Sequence, residues 1–142
     1  MRTMTQLLAV KGTDVWSVSP DTAVFEALQL MADKNIGALV VLEGGRPVGV
    51  VSERDYTRKV ILKGRASRDT PVRSIMTTEF PVASPASLVD ECMGLMTRSR
   101  ARHVLVMDGA QLQGVVSIGD LVKSTIEHQQ FTITQLEQYI ST

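Results

Sequence analysis

Displacing the sequence by 65 residues lays it over itself, and this constrains the fold more than any other feature. Ser19-Pro20 falls on Ser84-Pro85, Val24 on Val89, Glu26 on Glu91 and Leu30-Met31 on Leu95-Met96. Val41 falls on Val106 and Gly44 on Gly109, and the longest match sets Gly49-Val50-Val51-Ser52-Glu53-Arg54-Asp55 against Gly114-Val115-Val116-Ser117-Ile118-Gly119-Asp120. A constant offset without gaps marks a tandem duplication.

Both copies carry the same element signals. Ser19 and Ser84 are candidate helix N-caps, each with proline in the following position. Val24, Leu28 and Met31 then recur at helical spacing, as do Leu88, Cys92 and Met96. Short apolar strands follow at 38–42 and 104–107, with turns at Glu43-Gly44-Gly45-Arg46 and Asp108-Gly109-Ala110-Gln111. Further strands at 47–51 and 112–116 run into helices that begin near Ser52 and Ser117. An extended piece precedes each first helix, around 15–18 and 80–83, so the repeating unit is β-α-β-β-α. One unit of about 50 residues is too small to bury its own sheet and helices well, so two are expected to share a buried surface. The expected organisation is repeat 1 at 8–62, a polar connector at 63–73, repeat 2 at 74–126 and a helical tail at 127–142. Val72 to Met76 reads as a short helical lead-in to the second repeat. In the tail, Ile133, Leu136 and Ile140 lie three and four apart, a face that hints at a dimer.

Composition narrows the function classes. The chain holds 15 basic and 15 acidic residues in 142, with 44% hydrophobic residues. That excludes wholesale disorder and gives no broad nucleic-acid-coating charge. One cysteine and two histidines supply neither a disulfide nor metal-ligand spacing, and the reducing cytoplasm is the expected compartment. No apolar run reaches the roughly 20 residues of a membrane span, and the N-terminal apolar stretch is too short for a secretory segment.

The repeat length, the β-α-β-β-α order and the paired Gly-x-x-Ser-x-x-Asp segments together resemble the cystathionine-beta-synthase (CBS) domain, here a tandem pair or Bateman module. The resemblance covers residues 8 to 125 and extends to small stand-alone bacterial CBS-pair proteins. It implies an α+β fold of two repeats about a pseudo-twofold axis, followed by the helical tail. It also implies clefts that take adenine nucleotides: AMP, ADP, ATP or NAD(H), with S-adenosylmethionine the less favoured ligand. The implied function is a non-catalytic regulatory or energy- and redox-sensing module that acts on an effector protein, generally as a homodimer. The alternative is a dimeric protein-interaction scaffold with vestigial clefts. CBS pairs also occur within inosine-monophosphate dehydrogenase, but Cys92 sits in a helical pattern rather than a catalytic loop, so an enzyme is not expected.

The candidate ligand contacts follow from helix geometry. Ser52 and Ser117 open helices whose backbone N–H groups favour anions. Asp55 and Asp120, one turn on, can accept hydrogen bonds from vicinal ribose hydroxyls. The same spacing also describes a capping box, and the two roles are compatible. Arg54 can clamp a phosphate where Gly119 cannot, and Arg58 follows it, so phosphate recognition is expected to lean on the first copy. Lys11 is a further phosphate candidate, and Arg102 and His103 stand at the start of a strand where a nucleotide can pack. Val18, Ile36 and Ala38 are candidate adenine walls for one site and Val82 for the other. Cys92, Met31 and Met96 read as core. No catalytic or metal-ligating residue is assigned.

Overall fold

The computed structural model describes residues 2–141, so Thr142 of the expected tail lies outside the described residues. The fold is α+β, with two three-stranded sheets. The elements are α1 (Met4–Lys11), β1 (Ser17–Val18), α2 (Val24–Lys34), β2 (Ala38–Glu43), β3 (Arg46–Ser52) and α3 (Glu53–Tyr56), which continues into a π turn, Thr57–Ile61. A 3-10 turn at Val72–Ser74 is followed by β4 (Val82–Ala83), α4 (Val89–Ser99), β5 (His103–Asp108), β6 (Gln111–Ser117) and α5 (Ile118–Ser141).

The duplication persists in atomic detail. In each sheet a two-residue strand runs parallel to the middle strand, which pairs antiparallel with the third. The register slips at Val41/Leu42 in one copy and Val106/Met107 in the other, again 65 positions apart. Gly44 and Gly45 both take positive φ, as a two-residue hairpin turn of the primed type requires. In the second copy only Gly109 of the matching pair does so.

The chain forms two compact units that do not follow chain order. One is residues Asp14–Phe80; the other joins the segment ending at Thr13 to Pro81 and the residues after it. Helix α1 thus belongs with the second repeat, where Met4, Leu7 and Leu8 are buried among Val89, Cys92, Met96 and Val116. The segment from Val72 to Met76, expected to lead into the second repeat, packs on the first instead. There Val72 and Ile75 are buried against Val24, Met31 and Val51.

This placement explains why the two serines do not cap helices. Ser19 and Ser84 close tight turns with Thr22 and Ser87, and the helices begin later, at Val24 and Val89. The free N–H groups at those helix starts need no serine. Val24 and Phe25 donate to the carbonyls of Thr70 and Ser67, and Val89 donates to that of Arg2. The two leading segments, the N-terminal one through α1 and residues 66–76, therefore each supply a backbone cap for a helix. The expected core residues Cys92, Met31 and Met96 are buried. The tail continues α5 without a break.

Candidate functional site: two Ser-x-x-Asp helix starts

Strands β3 and β6 end in Ser52 and Ser117, and each chain turns there directly into a helix. The Ser52 hydroxyl accepts from the Asp55 backbone N–H at 3.1 Å, and the Asp55 carboxylate accepts in return from the Ser52 N–H at 3.0 Å. Ser117 and Asp120 repeat this at 3.1 and 2.8 Å. The next N–H, of Glu53 or Ile118, goes to the carbonyl of Gly37 or Arg102. Most of the backbone donors expected to face an anion are thus occupied within each unit, so anion binding falls chiefly to side chains.

The two carboxylates differ in what they have left to offer. Asp55 is buried; its Oδ2 takes both the N–H and the hydroxyl of Ser52, and its Oδ1 meets Lys59 Nζ at 3.1 Å and the Thr77 hydroxyl at 3.4 Å. Asp120 concentrates its contacts on Oδ2, which takes the Ser117 N–H and Lys11 Nζ at 2.6 Å. Among the described residues nothing donates a hydrogen bond to Asp120 Oδ1. Burial pushes the Asp120 carboxyl up, but the Lys11 ammonium and the Ser117 N–H outweigh it and hold it below the ordinary value.

The lysines come from different places. Lys59 lies one turn beyond Asp55, on the π turn, and its ammonium also donates to the Ile75 carbonyl. The matching position in the second copy is Ser124, whose buried hydroxyl has no hydrogen-bond partner among the described residues. There the cation arrives from α1 instead, and Lys11 also reaches the Val115 carbonyl. Each copy thus places one lysine on its aspartate by a separate route.

A cavity of about 190 Å³ opens beside Asp120, with Arg2, Lys11, Lys123, Ser124 and Glu127 among its lining. Arg2 pairs with Glu127 at 2.9 Å. Arg54 and Arg58 are exposed in the first copy, so positive side chains flank both aspartates rather than the first alone. His103 opens β5 in the same unit as Asp120, and Ala38 holds the matching place in β2. Burial, reinforced by the Lys11 and Arg102 cations, pushes the His103 imidazole down, with Asp120 opposing. Arg102 is exposed. Of the candidate adenine walls, Val18 and Ile36 pack on the core of the first unit, Ala38 is half-buried, and Val82 is exposed. The first set thus shares a unit with Asp55, while Val82, Arg102, His103 and Lys11 share one with Asp120. Thr77, Ser124, Arg2 and Glu127 were not legible as site residues, because no local spacing ties them to either motif.

The family model described as the CBS domain matches residues 9–61 and 72–127. The chain belongs to the CBS-domain family. A solved protein with CBS domains from Burkholderia ambifaria MC40-6 superposes with a TM-score of 0.86 at 47% identity, covering 93% of this chain and 99% of that one. The CBS domain-containing protein CBSX3, mitochondrial, of Arabidopsis thaliana is 38% identical over 134 residues; the match covers 91% of this chain and 65% of that relative's length. The CBS domain-containing protein YhcV of Bacillus subtilis is 32% identical, with 82% and 83% of the two chains covered. CBS pairs are generally regulatory, nucleotide-sensing modules that often oligomerise, and stand-alone pairs are typically non-catalytic. Among the described residues no helix is long and apolar enough to cross a membrane.

Proposed function

We propose that this CBS pair is a non-catalytic sensor of adenine nucleotides, of the AMP, ADP, ATP or NAD(H) type, which acts in the cytoplasm as a homodimer on an effector protein. The observation that carries the reading is the open Oδ1 of Asp120, on a carboxylate already oriented by Ser117 and held ionised by Lys11. An oriented carboxylate with one free oxygen suits a ribose hydroxyl, a charge-assisted contact whose geometry is set before the ligand arrives. In the first copy the ligand must displace Thr77 or Lys59 from Asp55. The second copy therefore binds first. Regulation requires only that the nucleotide favour one conformation over another, because equal affinity shifts nothing.

Calorimetric titration with AMP, ATP, NADH and S-adenosylmethionine tests this. A hydrogen bond to a charged partner contributes about 1.5–3 kcal/mol, so Asp120→Ala weakens nucleotide binding by roughly 10- to 100-fold. Asp55→Ala has the smaller effect on the first binding event. Failure of all four ligands to bind the folded protein removes the reading, and equal losses from the two variants remove its ordering of the sites.

A further inference from the structure

Helix α5 outruns the family match, which ends at residue 127, by more than three turns. Its buried positions lie in the first half, where Leu121 and Ser124 face inward, Thr125 contacts the Met93 sulfur and Glu127 pairs with Arg2. From Gln129 onward nearly every residue is exposed. Yet the exposed side is not polar. Val122, Ile126, Ile133, Leu136 and Ile140 range from 43% to 80% exposed.

Their spacing is that of a heptad rather than of an ordinary amphipathic helix. With Ile126, Ile133 and Ile140 at position a, position d holds Val122, Gln129 and Leu136. Isoleucine at all three a positions is the β-branched choice that favours a parallel two-stranded coiled coil, with Val122 and Leu136 apolar at d and Gln129 the one polar residue on the seam. Thr125 and Thr132 at g would face Gln130 and Glu137 at e of the other strand, so no like charges oppose pairing of the helix with itself. At these exposures each seam side chain offers on the order of 100 Å², so the five pairs bury about 1,000 Å², the level of a specific interface.

The geometry points to α5 as a dimerisation helix: residues Val122 to Ile140 of two copies of this chain form a parallel coiled coil, in register at Gln129. This names a surface for the homodimer proposed above and does not depend on nucleotide binding. A parallel seam brings the two copies of each a residue face to face, whereas an antiparallel pairing or a contact with a different protein does not.

The test uses the full chain. Sedimentation equilibrium of the wild type gives a dimer, and Ile133→Asp combined with Leu136→Asp weakens it at least 100-fold. Phe131→Ser removes an equally exposed apolar side chain at the outward f position and leaves association unchanged. Under oxidising conditions Ile133→Cys forms a disulfide-linked dimer and Thr134→Cys, at position b, does not; the native Cys92 is buried and stays silent. A monomeric wild type, a dimer that survives the aspartates, or an Ile133→Cys chain that fails to cross-link overturns the proposal. An unchanged far-ultraviolet circular dichroism spectrum with a cooperative urea transition shows that the double-aspartate variant is folded, whether or not nucleotide binds, and keeps this outcome separate from failure of the sensor reading.

Discussion

Lys11 Nζ sits 2.6 Å from Asp120 Oδ2, although 109 positions separate the two residues. The pair exists because α1 packs with the second repeat. Both side chains are about a quarter to a third exposed, so the ion pair contributes only about 0.5–1 kcal/mol to stability. Its larger effect is to fix the carboxylate in its charged, oriented form.

Lys11→Met therefore moves the Asp120 carboxyl up towards the ordinary value of 3.8, which carboxyl-detected NMR titration reads directly. The stability this aspartate supplies is present above that ordinary value and is lost as pH falls through the lower value of the folded protein. In Lys11→Met the folded and unfolded values draw together, so this part of the acid limb flattens and the variant is less stable than the wild type chiefly above the ordinary carboxyl value. An unmoved Asp120 titration would show that the ion pair does not hold the carboxyl down.

His103 produces a second, separate window. Its imidazole is lowered below 6.5, first by burial, so the unfolded chain takes up a proton that the folded protein resists. Stability falls as pH drops from about 6.5 to the depressed folded value, and is flat above it. His103→Gln removes this slope. Denaturation midpoints between pH 5 and 8 check it, and a slope that persists in the variant places the titrating group elsewhere.

Two glycines report how closely the leading segments approach their sheets. A Cβ on Gly49 would lie 2.8 Å from Met76 Sδ and 3.0 Å from the Thr77 carbonyl oxygen, whereas on Gly114 it would meet only the end of Leu8, at 2.7 Å. The Thr77 backbone is fixed by reciprocal hydrogen bonds to Val50 at 2.9 and 2.8 Å and cannot yield as a leucine methyl can. Gly49→Ala accordingly destabilises by about 2–3 kcal/mol and Gly114→Ala by about 1 kcal/mol. Urea denaturation of the two variants decides it; equal losses would mean that both segments yield alike.

What the sequence made legible is what repeats locally. The strands, the turn glycines, the Ser-x-x-Asp helix starts and the burial of Cys92 all follow from short-range patterning and the 65-residue offset. What it hid depends on which segment packs where. Nothing in the spacing of Met4, Leu7 and Leu8 says that they bury among residues 83 to 121, and the same blindness concealed the Lys11–Asp120 pair. The serine caps failed for a related reason: the helix N–H groups find carbonyls on a distant segment, so local capping chemistry was not needed. The correspondence between the two segments shows only in the fold. Leu8 on Gly114 mirrors Met76 on Gly49, which sets the two leading segments 68 positions apart instead of 65.

The helix ends offer the last test. Helices α2 and α4 both close with a residue in the left-handed region, Asn35 and Arg100, each at φ 53°. Asparagine tolerates that conformation, whereas a long side chain with a Cβ in it costs about 1–2 kcal/mol. Glycine at position 100 removes that cost but adds freedom to the unfolded chain, which returns about 0.4–1 kcal/mol of the gain. Arg100→Gly should thus stabilise the protein by about 0.5–1 kcal/mol, while Asn35→Arg in the other copy destabilises it by a similar amount. Thermal and urea unfolding of both variants measure this, and a destabilised Arg100→Gly would mean that the arginine side chain makes a contact outweighing the backbone strain.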